Sequence, residues 1–288
     1  MRYHSPQTFA EAASLAASCP GTVKVFSGGT DFLVQLRAGS TPPDDLIDLK
    51  KAAGAKDIVQ NADGSWTLGA SVSGAQMGDH AALVADWPGV VEGMQLVGST
   101  QVQGRATMAG NLCNGSPAAD SVPGMVAAGA IVTVTGPDGV RQMPVEAIPA
   151  GPGKTTLKKG EIISAITLPA RGKNGGDAYL RFIPRTEMDI AVVGCAVNLR
   201  VEGGKITEAR VSLGAVAPTV LLVPECADAI IGTPLDDAAL AKLTKAAEAA
   251  CKPITDRRGT VEFRVEVAGV LARRAARIAY DRATGAAK

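Results

Sequence analysis

Aromatic side chains are scarce in this sequence, where Phe, Trp and Tyr together make up 3% of 288 residues, so few rings are available for any role that needs one. Histidine is rarer still. His4 and His80 alone leave little material for a histidine-based metal site or a hydrolytic triad, and no G-x-S-x-G is present. The five cysteines, at 19, 113, 195, 226 and 251, lack the short paired spacings of zinc or iron–sulfur ligands and read as small core residues, so no metal is expected in this chain. Nowhere does the chain reach the roughly 18 uninterrupted apolar residues of a membrane span, and its start lacks a long apolar segment behind a basic tip. A cytoplasmic protein is expected. A formal net charge of +1, with 20% charged residues, gives no electrostatic bias toward nucleic acid or an acidic surface. Two nucleotide fingerprints are also missing. No G-x-G-x-x-G follows the first strand, which excludes a Rossmann assignment, and "GPGKTT" at 151–156 has Ile148 where a P-loop needs glycine, so it reads as a loop.

What is present is a chain long enough for two or three subdomains. Thr8 and Glu11 at capping-box spacing start a helix over 8–19, a strand follows at Val23–Phe26, and after a glycine pair "TDFLVQLRAG" has helical spacing before the strand-like "DLIDL". From residue 55 short alternating runs predict hairpins about Asp63-Gly64 and Asp138-Gly139, with helices near 73–85 and 88–97 between them. "EIISAITLP" predicts a further strand, and the polar segment 170–177 a domain boundary. Long apolar strands around Gly203-Gly204 then precede helices over about 235–251 and 260–283. Strands followed by segregated helices indicate an α+β class. The basic residues Arg273, Arg274, Arg277 and Arg282 read as the wet face of the last helix, with partner docking as the other reading.

Two runs carry candidate chemistry. Ser27-Gly28-Gly29-Thr30-Asp31 leaves a strand and enters a helix, where free amides and the absence of a Cβ suit a phosphate. A tight turn closed by a Thr30 or Asp31 cap explains the same residues. The second run, 104–130, packs glycine, threonine, asparagine and serine before a helix entered through Ser116-Pro117, with Asp120 early in it. It reads as a second ligand cradle, or as a large surface loop.

The order of "VFSGGTDFLVQLRAG", "TMAGNLCNGSPAADSVPGMVAAGA", "GEIISAITLP", "YLRFIPRTEMDIAVVGCAV" and "DRRGTVEFRVEVAGVLARRA" resembles the flavoprotein, or medium, subunits of molybdenum hydroxylases over nearly the whole chain. That family includes the FAD subunits of carbon monoxide dehydrogenase and xanthine dehydrogenase. The resemblance implies a two-subdomain FAD-binding fold of the vanillyl-alcohol-oxidase and p-cresol-methylhydroxylase type over 1–174, divided near 54. A C-terminal domain of three antiparallel strands and a helical bundle would follow over 175–288. It implies that Val25, Phe26, Ser27, Gly28, Gly29, Thr30, Asp31 and Phe32 wrap the FAD diphosphate, and that Thr107, Gly110, Asn111, Ser116 and Asp120 hold its second side. Ile162 or Ile163 would contact the flavin ring or the adenine region. Arg181 stands where the family usually has a lysine near the isoalloxazine, and arginine keeps that charge without titrating near neutrality. Tyr179 and Phe182 are candidate shields of the flavin, or core aromatics. No residue of this chain is expected to act on the oxidised substrate. The [2Fe–2S] clusters and the molybdopterin cofactor would sit on a small and a large partner subunit, and the flavin would pass electrons to an acceptor such as NAD or a quinone. No insert with the cysteines of an extra cluster, as in 4-hydroxybenzoyl-CoA reductases, is present. A self-sufficient flavin reductase of the same fold and a non-redox nucleotide-binding assembly module are the alternatives.

Overall fold

The computed structural model describes residues 1–286, so the last two positions of the expected C-terminal domain lie outside the described residues. The first layer contains β1 (Arg2–His4), α1 (Phe9–Ser18), β2 (Val23–Phe26), α2 (Thr30–Arg37) and β3 (Asp45–Asp48), with the strands parallel in the order β1-β3-β2. Thr8 Oγ1 accepts from the Glu11 amide, the cap expected from the sequence. The edge strand β1 has no sequence signal, being three residues long and mostly exposed. Charge holds it in place. Arg2 Nε and Nη2 donate to the two carboxylate oxygens of Asp45 at 2.8 and 2.7 Å, and His4 Nε2 lies 2.8 Å from the same group. The fully buried Asp45 carboxyl is thereby held well below the usual carboxylate range, chiefly by Arg2.

The second part begins with β4 (Ile58–Gln60) and β5 (Trp66–Gly69), joined through Asp63-Gly64 as expected. The predicted helix over 73–85 is broken at His80 into α3 (Gly74–Asp79) and α4 (Ala81–Asp86), because His80 Nδ1 accepts from the Leu83 amide and restarts the helix. Next come α5 (Pro88–Gln95), α6 (Thr100–Gln103), α7 (Met108–Cys113) and α8 (Ser121–Ala128). The hairpin of β6 (Ile131–Gly136) and β7 (Gly139–Pro144) turns at Pro137-Asp138, one residue earlier than predicted, and Gly139 closes it at φ 119°. "GPGKTT" lies in the small ribbon of β8 (Pro149–Gly151) and β9 (Lys154–Thr155), and β10 (Ile162–Leu168) completes an antiparallel sheet ordered β4-β5-β10-β6-β7.

The last part is an antiparallel sheet of β11 (Gly175–Phe182), β12 (Val193–Glu202), β13 (Lys205–Gly214) and the two-residue β14 (Leu221–Leu222), followed by α9 (Pro224–Asp228), α10 (Asp237–Ala250) and α11 (Val261–Thr284). The short fourth strand is an addition to the three expected. α11 lies so close on β11 that a Cβ at Gly176 would meet the Ala279 carbonyl oxygen at 2.1 Å. Arg273, Arg274 and Arg277 are exposed, but Arg282 is not part of a free wet face. Its guanidinium donates to the Asp177 carbonyl at 2.7 Å and pairs with Glu92, which ties α11 to α5. Every residue of α8 is buried, and this helix packs against α5 on one side and β12 and β13 on the other. Among the described residues the larger apolar clusters lie under the five-stranded sheet and between the last sheet and α10 and α11, and a small one of Ala127, Tyr179 and Ala196 joins α8 to β11 and β12. Among the described residues no helix is long and apolar enough to cross a membrane.

Candidate functional site

β2 delivers the chain to Ser27, and Gly29 adopts the left-handed conformation (φ 75°) as the N-cap of α2, where no side chain caps the helix. Thr30 and Asp31 therefore leave the first amides of α2 uncapped, in contrast to the tight-turn expectation. Gly28 has a separate reason to be glycine. A Cβ there would stand 2.0 Å from the Arg105 carbonyl oxygen, because the second small-residue run packs directly on the first. Lys50 holds the loop from below, 4.3 Å from the Phe26 ring centre, with Nζ donating to the Ser27 carbonyl at 3.1 Å and to Asp48 at 2.7 Å.

In the second run Thr107 caps α7, its Oγ1 accepting from the Gly110 amide at 3.0 Å. Asn111, one turn into that helix, turns its side-chain oxygen to Ser121 and accepts from the hydroxyl at 2.7 Å and the amide at 3.3 Å. It thus caps α8 from outside. Asn114 Nδ2 donates to Asp31 Oδ2 at 2.6 Å, a direct bond between the two runs.

A cavity of about 430 Å³ lies against this junction, with Val25, Phe26, Leu49, Gly110, Ile162 and Ile163 in its wall. It continues into a narrower slot of about 90 Å³ bounded by Ser27 to Phe32, Thr107 and Asn111. Residues 25–32, 107, 110, 111, 162 and 163 therefore share one cleft. Leu157 in its wall carried no sequence signal of its own, Cys113 is exposed in that wall and not the small core residue expected, and Asn114 was legible only as part of a small-residue run.

Ser116, Asp120 and Arg181 line neither of these cavities. Ser116 borders a third one of about 290 Å³, beside Ile190, Ile254, Lys252, Arg258 and the buried Arg264. Asp120 and Arg181 form a buried ion pair at 2.5 Å, and Tyr179 Oη donates to Asp120 at 2.8 Å. Burial pushes the Asp120 carboxyl up to about 6 against the pull of Arg181, and it pushes the Tyr179 phenol well up, Asp120 adding to that. Committed to these partners, Asp120 stands at the N-cap of α8 without capping it, which is why Asn111 does so. Tyr179 is a core residue and Phe182 packs edge-on to Phe263 at 5.4 Å; neither lines the cleft.

A cleft that joins an uncapped helix start to a facing small-residue loop, with an apolar chamber alongside, defines a dinucleotide-holding protein of the α+β class. Residues 1–171 match the model of the FAD binding domain in molybdopterin dehydrogenase, and residues 178–279 that of the CO dehydrogenase flavoprotein C-terminal domain. The chain belongs to this family of FAD-binding oxidoreductase subunits. It is 32% identical to the carbon monoxide dehydrogenase medium chain of Afipia carboxidovorans over 98% of this chain and 97% of that one. To the xanthine dehydrogenase FAD-binding subunit of Escherichia coli O157:H7 it is 29% identical, over 92% and 91%. A solved structure of reconstituted CO dehydrogenase from Oligotropha carboxidovorans superposes with a TM-score of 0.93 at 31% identity, covering 98% of both chains.

Proposed function

We propose that this chain is the FAD-carrying electron-transfer subunit of a heteromeric molybdenum-containing hydroxylase, held in the cytoplasm. The observation that carries the proposal is the convergence of residues 25–32 with Thr107, Gly110 and Asn111 on one cleft, bridged by the Asn114–Asp31 bond. The donor set suits FAD: the uncapped amides at the start of α2 would hold its diphosphate, and Val25, Leu49, Ile162 and Ile163 would cover its apolar rings. When bound, FAD supplies the two-electron redox chemistry, which no side chain can. This chain's residues bind it, exclude water and set the charge around it. Arg181 and Asp120 present a paired, nearly neutral group to their surroundings in place of a lone cation.

A small subunit with [2Fe–2S] clusters would deliver the electrons, a large molybdopterin subunit would oxidise the substrate, and an acceptor such as NAD or a quinone would take the electrons away. Of the expected residues outside the cleft, Ser116 lines the neighbouring cavity, where Arg258 and Arg264 are both paired with Asp256. Purification of the native complex is the test. It should yield about one FAD for each copy of this chain together with two partner chains of different size. Absence of flavin absorbance would overturn the proposal in favour of a non-redox module, and a flavin-bearing chain active without partners would favour a self-sufficient reductase.

A further inference from the structure

Beyond the flavin cleft, a separate cavity of about 430 Å³ shares only Ser27 with it and is walled by Lys50, Lys56, Arg105, Ser71, Ser73 and Asp79 among others. Lys50 is already committed to Asp48 and to the Ser27 carbonyl. Lys56 and Arg105 have no such commitment, since among the described residues no carboxylate pairs with either. The Ser71 hydroxyl, on a residue that is 5% exposed, is buried without a hydrogen-bond partner. Its own amide is taken by the Ala55 carbonyl at 2.7 Å, which sets Ser71 beside the segment that carries Lys56. Buried hydroxyls are almost always partnered, and this one, closed off from solvent as it stands, would reach an acceptor oxygen in the cavity by turning about its side-chain bond, while the two uncommitted cations carry the charge of the site.

We propose that this cavity binds a small sugar phosphate. Arg105 offers a planar fork and Lys56 a mobile point charge, the two donor types that recognise phosphate oxygens. A phosphate monoester carries between one and two negative charges near neutrality, which Lys56 and Arg105, net of the Asp79 carboxylate, balance in large part. The cavity is larger than a bare phosphate ion fills, and the exposed carboxylate of Asp79 is an acceptor suited to sugar hydroxyls.

Isothermal titration of the full chain, with its flavin content recorded, tests this with ribose 5-phosphate, inorganic phosphate and ribose as probes. Saturable binding of ribose 5-phosphate is expected, at least tenfold tighter than inorganic phosphate, with none for ribose. The double substitution Lys56→Gln and Arg105→Gln alters exposed side chains and should weaken ribose 5-phosphate at least tenfold with flavin content and unfolding temperature unchanged. Asp79→Asn should weaken the sugar phosphate and leave inorganic phosphate unaffected. Three results would overturn the proposal: no saturable binding, equal binding by the double variant, or displacement of ribose 5-phosphate by added FAD, which would assign the ligand to the flavin cleft. Because the readout is binding at this cavity, it stands or falls apart from the flavin assignment.

Discussion

Gly28 shows how one residue can serve two demands. Its sequence context points to a phosphate, and the structure adds a backbone contact that would forbid a side chain even in the absence of a ligand. Gly28→Ala should therefore lower stability by about 1–3 kcal/mol through overpacking and reduce flavin content as well. Thermal unfolding and the flavin-to-protein absorbance ratio check both, and an unaltered unfolding temperature would contradict the packing argument. Asp120 carries a pH signature. Its folded-state pKa, up at about 6, lies above the ordinary value of 3.8, so the folded protein binds the extra proton between those limits. The stability that Asp120 contributes is thus full below about pH 4, falls as pH rises to about 6 and is level above it, a change on the order of 3 kcal/mol. Asp120→Asn should flatten that fall in urea unfolding measured from pH 4 to 7, and parallel curves for variant and parent would refute the assignment. The Asp120–Arg181 partnership was invisible in the chain, because a carboxylate in a small-residue loop gives no sign of whether it faces a ligand or a cation 61 positions away.

Among the elements, α8 depends on a cap borrowed from α7. Asn111→Ala should cost about 1–2 kcal/mol by leaving the Ser121 amide and hydroxyl unpaired, measured as a lower midpoint of chemical unfolding, and it should loosen flavin retention through the same cleft. The docking of α11 makes a contrasting case. Gly176→Ala drives a methyl group into the Ala279 carbonyl and should destabilise the chain by about 1–3 kcal/mol while flavin content per folded chain stays constant, since β11 bounds the cleft nowhere at that position. Most elements were legible beforehand because capping residues, alternation and glycine turns act within a few positions. Three of the exceptions share one physical cause. β1, the break at His80 and the short β14 are each settled by a partner remote in sequence or by a side-chain cap that periodicity does not report.

At the scale of the whole molecule, the cleft lies between the parallel layer and the antiparallel part of the chain, so filling it should stabilise both together. The unfolding temperature of flavin-depleted chain should rise with added FAD, approaching about 2.7 kcal/mol of stabilisation at a hundred times the dissociation constant. An unfolding temperature independent of FAD concentration would exclude the cleft as the binding site. Composition, the two glycine-rich runs and their order along the chain determined the class of fold and the family, since these are properties of local spacing and block order. Only the tertiary structure decided which expected residues meet. It brought residues 25–32 to Thr107, Gly110 and Asn111, and it withdrew Asp120 and Arg181 into a buried pair. Whether a polar side chain faces a ligand or a neighbour depends on what burial costs it and which partner lies within hydrogen-bond reach, and both are settled by packing between segments far apart in sequence.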